Sequence, residues 1–200
     1  MVGDAYPLLR DYLAKLPAGL ESYPECQARA SMLRMELATN PPGNIPPAGL
    51  PEQLLETLRS PPMPSGWMPE VHSVAAHLVL FQRTYGGDLE RARAGGYEMN
   101  KRLFRSTMYR VLTTFATPGL LVRGGPREWD KMRKGTSLRA DATRRGATVV
   151  LDFPPHLLPP FLVEVVCAGF DAVVHAAGAH DARFEITAYA PTRATLQASW

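Results

Sequence analysis

Long apolar runs are missing from this chain. No stretch of 18 or more residues is uniformly apolar, so no membrane-spanning helix is expected. The first residues, Met1-Val2-Gly3-Asp4, lack both a basic segment and an apolar core, so a secretory signal is not expected. Cysteine is nearly absent. Cys26 and Cys167 stand far apart without CxxC spacing, which excludes a disulfide framework and predicts two small buried side chains in a reducing cytoplasm. Internal repeats are absent.

Motifs that carry chemistry are also scarce. "RGGP" and "AGGY" do not have the spacing of a phosphate-cradling loop. His72 and His77 are five apart and do not stack on one helical face, as a paired metal site requires. His156, His175 and His180 flank the ends of a C-terminal helix, where the helix dipole alone favours His175. There is no GxSxG elbow and no ordered Ser-His-Asp set. Glu164 and Asp171 read as solvated charges on the outer side of that helix. No enzyme, cofactor or metal is therefore expected.

What is present is the composition of a globular protein: 46% hydrophobic and 20% charged residues in 200. Proline is abundant at 19 residues and clusters in "NPPGNIPP" (40–47) and "SPPMPSGWMP" (60–69), which read as loops. The chain is expected to be a single domain over 1–200. Its first part, 1–69, is read as helical between these loops, and 70–200 as a helix-plus-sheet core.

Periodicity places the elements. Tyr6, Leu9, Leu13 and Leu16 predict a helix over 5–16. Further helices are expected over 23–37 behind Pro24, over 50–60 behind Pro51 and over 69–85. Glycines bracket 86–96 as a short helical turn, and a long helix is expected over 97–115. "TPGLLVRGG" (117–125) should break it, with Pro126 starting a short helix that packs Trp129 and Met132 and ends at a left-handed Gly135. From Thr136 the period becomes two. Strands over 136–143 and 147–153 flank a turn at 144–146, with Gly146 supplying positive φ. A helix over 158–178, started by Pro159-Pro160, precedes strands over 182–190 and 194–200, and the terminal Trp200 should pack on the sheet edge. The fold class is α+β: N-terminal helices on a four-stranded antiparallel sheet, with a β-β-α-β-β C-terminal half.

Several segments, "RLFRSTMYRVLTTFATPGLLVR", "GPREWDKMRKGTSLRADA", "TVVLDFPP", "HAAGAHDARFEI" and the ending "TLQASW", resemble a myxobacterial family of paralogues of unknown function. Over roughly 70–200 that family is distantly similar to the Bet3-type TRAPP subunits, the vinyl-4-reductase-type ligand domains and the haem–nitric-oxide-binding domains. The resemblance implies a Bet3-like fold that in relatives often encloses an apolar pocket, and a regulatory or scaffolding role without catalysis. The chain lacks the Tyr-x-Ser-x-Arg haem motif and the clustered C-terminal cysteines of those relatives, so neither haem nor zinc is expected.

The expected function is a non-enzymatic cytoplasmic domain that binds a small apolar ligand, such as a lipid, or a protein partner. Its pocket would be lined by Phe104, Met108, Leu112, Phe161, Val165 and Cys167, from the two broadest apolar helices. An alternative is a homo- or hetero-oligomerising module with no ligand. Another follows from the charge. Residues 1–86 carry 6 Lys/Arg against 8 Asp/Glu, 87–145 carry 14 against 6, and 146–200 carry 2 against 5. The basic segment 101–145 would then dock on an anionic partner through Arg102, Arg105, Arg127, Lys131, Arg133, Lys134, Arg144 and Arg145. No helix-turn-helix, zinc or RNP signature accompanies this charge, so specific nucleic-acid binding is not expected.

Overall fold

In the computed structural model, residues 5–41, 45, 49–104 and 116–200 are described, Leu103 and Phe104 by backbone alone. They form two compact units. The first contains the chain up to Asp88, with Met132–Gly135 and Pro154–Pro159. The second contains Leu89–Lys131, Thr136–Phe153 and Pro160–Trp200.

The first unit is built around one helix. Helices α1 (Pro7–Leu13), α2 (Ala30–Thr39) and α3 (Glu52–Arg59) surround α4 (Glu70–Tyr85). Val71, Val74, Ala75, Leu78, Val79, Leu80 and Phe81 of α4 are all buried, so apolar residues cover most of its circumference and it sits in the centre. Gly86, in the left-handed region at φ 66, ends it. Three short strands complete the unit: β1 (Gln27–Arg29) lies between β2 (Trp67–Pro69) and β3 (Arg133–Lys134), antiparallel to both.

That small sheet corrects the reading of 23–37 as one helix. Pro24 does not start a helix: Tyr23 sits at φ 55, Gln27–Arg29 is extended, and α2 begins only at Ala30. The residues that make β1 a strand lie far along the chain, opposite Ala28 at Met68 and Arg133.

The second unit has helices α5 (Leu89–Phe104), α6 (Pro118–Met132) and α7 (Pro160–Ala176) with a four-stranded antiparallel sheet. Its strands β4 (Ser137–Ala142), β5 (Gly146–Asp152), β6 (Glu185–Ala190) and β7 (Arg193–Ser199) run in the order β4-β5-β7-β6. The expected α+β class and β-β-α-β-β order are therefore present. Register explains the two faces. Leu138, Leu151 and Ala194 align across the sheet, as do Ala140, Val149 and Leu196, and form the apolar face. The other face is polar: Asp152 accepts from Arg139 at 2.7 Å and from Arg193 at 2.5 Å.

Four local expectations fail here. The glycines at 95 and 96 do not separate two helices, because α5 runs through them to Phe104. A methyl at Gly96 would meet Val165 Cγ1 at 2.8 Å, so the bare backbone lets α5 lie close against α7. Pro126 does not start a helix but lies inside α6. Buried Val122, the Arg123 bond to the Ala142 carbonyl and Trp129 Nε1 donating to Thr136 Oγ1 at 3.0 Å hold that helix together. Gly146 is no positive-φ turn residue; it is the first residue of β5 and lies against the backbone of Ala198. Gly135 is left-handed at φ 76, but β3 separates it from α6, so it caps no helix. Trp200 is half-buried, and its backbone N–H donates to the Arg145 carbonyl at 2.9 Å, beside the end of the β5–β7 ladder. No helix among the described residues is long and apolar enough to cross a membrane.

Candidate functional site

The second unit holds a charged cluster between α5 and α7. Both helices need small residues to approach: besides Gly96 against Val165, Gly169 lies beside the side chain of Asn100. Arg93 projects from α5 into this contact and is only 7% exposed. Its guanidinium donates to Glu164 Oε2 at 2.5 Å, to Asp171 Oδ2 at 2.9 Å and to the Phe184 carbonyl at 2.5 Å. Asp171 Oδ1 accepts the Phe184 N–H at 2.6 Å, so one carboxylate joins helix α7 to the segment entering β6. Phe184 is fully buried and packs on Phe170 with ring centroids 5.2 Å apart.

Burial opposes charge here and hydrogen bonding restores it. Desolvation pulls the Arg93 guanidinium down, but Asp171 and its other neighbours outweigh that and hold it above its ordinary value. Desolvation lifts the Asp171 carboxyl above 3.8. The Phe184 amide and Arg93 both donate to its oxygens, so the group is an ionised carboxylate in the fold. Leaving either partner alone in this setting is expensive, so the cluster is stable as a set.

One turn along from Arg93, Tyr97 donates its hydroxyl to His175 Nδ1 at 2.9 Å. His175 Nε2 lies 2.7 Å from the Ala182 carbonyl, an acceptor only, which assigns the proton to Nε2 and leaves Nδ1 to accept. Between the cluster and this pair lies an open cleft of about 220 Å³. Ala94, Ala168 and Ala182 form its small apolar walls, and Glu90 and Arg183, paired at 3.4 Å, stand beside it.

The residues expected to line a pocket lie elsewhere. Val165 is buried against Gly96, Cys167 is fully buried in the protein interior, and Phe161 is half-buried. None of the three lines the cleft. The Phe104 side chain, Met108 and Leu112 lie outside the described residues. Burial pushes the Cys167 thiol up to about 12 and the Cys26 thiol up to about 11, so neither is a ready nucleophile.

The eight basic residues are divided. Arg102, Arg127, Lys131, Arg144 and Arg145 are exposed in the second unit, with Lys131 on Glu128 at 2.6 Å. Arg133 and Lys134 belong to the first unit. Arg133 does not face solvent as a docking residue would; it pairs with fully buried Glu70 at the start of α4. Burial lowers its guanidinium to about 10, which still leaves it charged at neutral pH. Lys134 lies over the ring of Trp67. Arg105 is outside the described residues.

Sequence reasoning missed the central feature. Glu164 and Asp171 are not solvated: Asp171 is 7% exposed and both pair with Arg93. A usable signal was present. Positions seven apart share one helical face, and two acids on one face of an otherwise apolar helix need a buried cation. No group of three or more His, Cys, Asp or Glu side chains able to hold a metal occurs among the described residues. The chain matches no protein-family model, no curated protein and no solved structure.

Proposed function

We propose that this protein is a non-catalytic binding module, regulatory or scaffolding in role, whose second unit takes a small and mostly apolar ligand between α5 and α7. One observation carries this reading: an alanine-walled cleft lies between two polar networks whose groups already have partners. Arg93, Asp171 and His175 each hold structural hydrogen bonds, which suits them to framing a ligand and not to moving protons. The cleft is smaller than the roughly 300–1,000 Å³ typical of ligand pockets, which favours a small metabolite over a long lipid chain. The two free, buried thiols support a reducing, cytoplasmic setting. A Bet3-like resemblance over 70–200 points toward the same non-enzymatic role.

Native mass spectrometry of the purified protein, followed by organic extraction, tests it. Ala94 is exposed on the cleft wall, so Ala94→Leu fills the space without touching the core. A species that co-purifies with the unaltered protein and is lost from Ala94→Leu supports the reading. A melting temperature that rises with that species, by mass action, supports it further. A clean apo mass with no extractable species, or retention unchanged in the variant, overturns the cleft as the binding place. A concentration-dependent dimer mass in a ligand-free sample favours an oligomerising module instead.

A further inference from the structure

The outer face of the small sheet in the first unit carries a second binding chemistry, independent of the cleft. Pairing sets it up. Arg29 lies opposite Trp67, and Gln27 lies opposite Pro69 and Lys134, so these positions share one face of the sheet. The alternate positions Ala28 and Met68 are buried, and Arg133 turns to Glu70.

On the outer face two cations meet one indole. Arg29 Cζ is 3.9 Å and Lys134 Nζ 4.2 Å from the centroid of the Trp67 ring. The two charges are therefore at most about 8 Å apart, within a Debye length of each other at physiological salt. They repel each other, and the ring's negative face attracts both. Lys134 has Gln27 Oε1 at 3.3 Å as its hydrogen-bond partner and no carboxylate among the described residues. Arg29 is held in place by a bond to the Ser65 carbonyl. The Trp67 indole N–H, half-exposed, has no acceptor within the described protein. Three donors thus gather where no register position of the face supplies an acid.

We propose that this face binds the phosphate group of a phosphomonoester, with Arg29, Lys134 and the indole N–H of Trp67 as its donors. A phosphomonoester fits better than a carboxylate because it brings three terminal oxygens and close to two charges to two cations and a third N–H. Arg29 supplies the planar donor, pre-positioned by its stack on Trp67, and Lys134 the mobile one.

The test is titration of the full chain with inorganic phosphate and glycerol phosphate, followed through the indole N–H resonance of Trp67, which Trp67→Phe assigns. Sodium chloride at matched ionic strength is the control. The expected result is a saturable shift of that resonance alone, weakened roughly tenfold in Lys134→Ala, the size of one charge-assisted bond, and restored in Lys134→Arg. Lys134 is exposed, so both variants fold. A lipid headgroup offers the same group. Co-sedimentation with phosphatidate vesicles that Lys134→Ala abolishes assigns the phosphate to a membrane lipid, and binding of glycerol phosphate without vesicle binding assigns it to a soluble ester. No saturable shift with either phosphate and no Lys134-dependent sedimentation overturns the proposal, as does a shift that sodium chloride reproduces.

Discussion

The guanidinium of Arg93 and the carboxylate of Asp171 are 78 residues apart in the chain and 2.9 Å apart in space. Their bond ties α5 to α7, and through Phe184 it fixes where β6 begins. The second unit is thus organised by a buried ion pair as well as by its apolar sheet face.

Arg93→Leu leaves buried Asp171 and half-buried Glu164 without their cation. Urea unfolding should show a loss of about 3–5 kcal/mol. Asp171→Asn keeps an acceptor for the Phe184 N–H, and Glu164 still faces Arg93, so its loss should be smaller, about 1–3 kcal/mol. The reverse ranking would show that the cluster does not organise this unit.

Two glycines in the α5–α7 contact should respond with opposite signs. In a helix, Gly→Ala gains about 1 kcal/mol of backbone entropy. At Gly96 the new methyl meets stiff, β-branched Val165 at 2.8 Å, and overpacking of about 1–3 kcal/mol outweighs that gain. At Gly169 the nearest atom is the Asn100 amide at 3.4 Å, which can yield. Melting temperature should fall for Gly96→Ala and rise for Gly169→Ala.

Both thiols should be silent in the folded protein. Burial lifts Cys167 to about 12 and Cys26 to about 11, against 9.0 for a free thiol. A thiol-specific reagent near pH 8 should modify neither until urea unfolds the chain, and then both. Folding keeps these protons on, so their contribution to stability is complete below pH 9 and is lost as pH rises through the window from 9 to about 11–12. Fast labelling of either in native buffer would contradict its placement.

His77 sets the acid side. Burial holds it below 6.5, and its Nδ1 donates to the Ser73 carbonyl at 2.8 Å. It stays neutral in the fold and takes a proton on unfolding, so stability falls as pH drops below 6.5. His72, also lowered chiefly by burial, acts in the same direction. Unfolding midpoints at about pH 7.5 and about pH 5.5 should differ less for His77→Leu than for the unaltered chain, because one titrating group is gone. An unchanged difference would place the acid sensitivity elsewhere.

Much of the second unit was legible residue by residue. Alternation over Leu138, Ala140 and Ala142 marks one buried face, and Pro191-Thr192 marks the hairpin between β6 and β7. These are local signals, set by a strand's period of two and by turn chemistry. The first unit's sheet was not legible, because β1 and β3 are three and two residues long and their pairing partners are far away in sequence. The candidate site was illegible for a related reason. Arg93, Glu164 and Asp171 look like ordinary surface charges until two helices come together around them.

The amino-acid order by itself determined which segments carry an apolar face and where prolines stop them, and hence the α+β class with its β-β-α-β-β half. Those properties depend on period and steric restriction within a few residues. Tertiary structure decided the rest: that α5 passes through Gly95-Gly96, that Pro126 lies inside a helix, that Arg93 meets Asp171, and that Arg29 and Lys134 both lie over the ring of Trp67. Each of these is the outcome of long-range packing, which overrides local propensities of about 1 kcal/mol by burying groups that must then find partners.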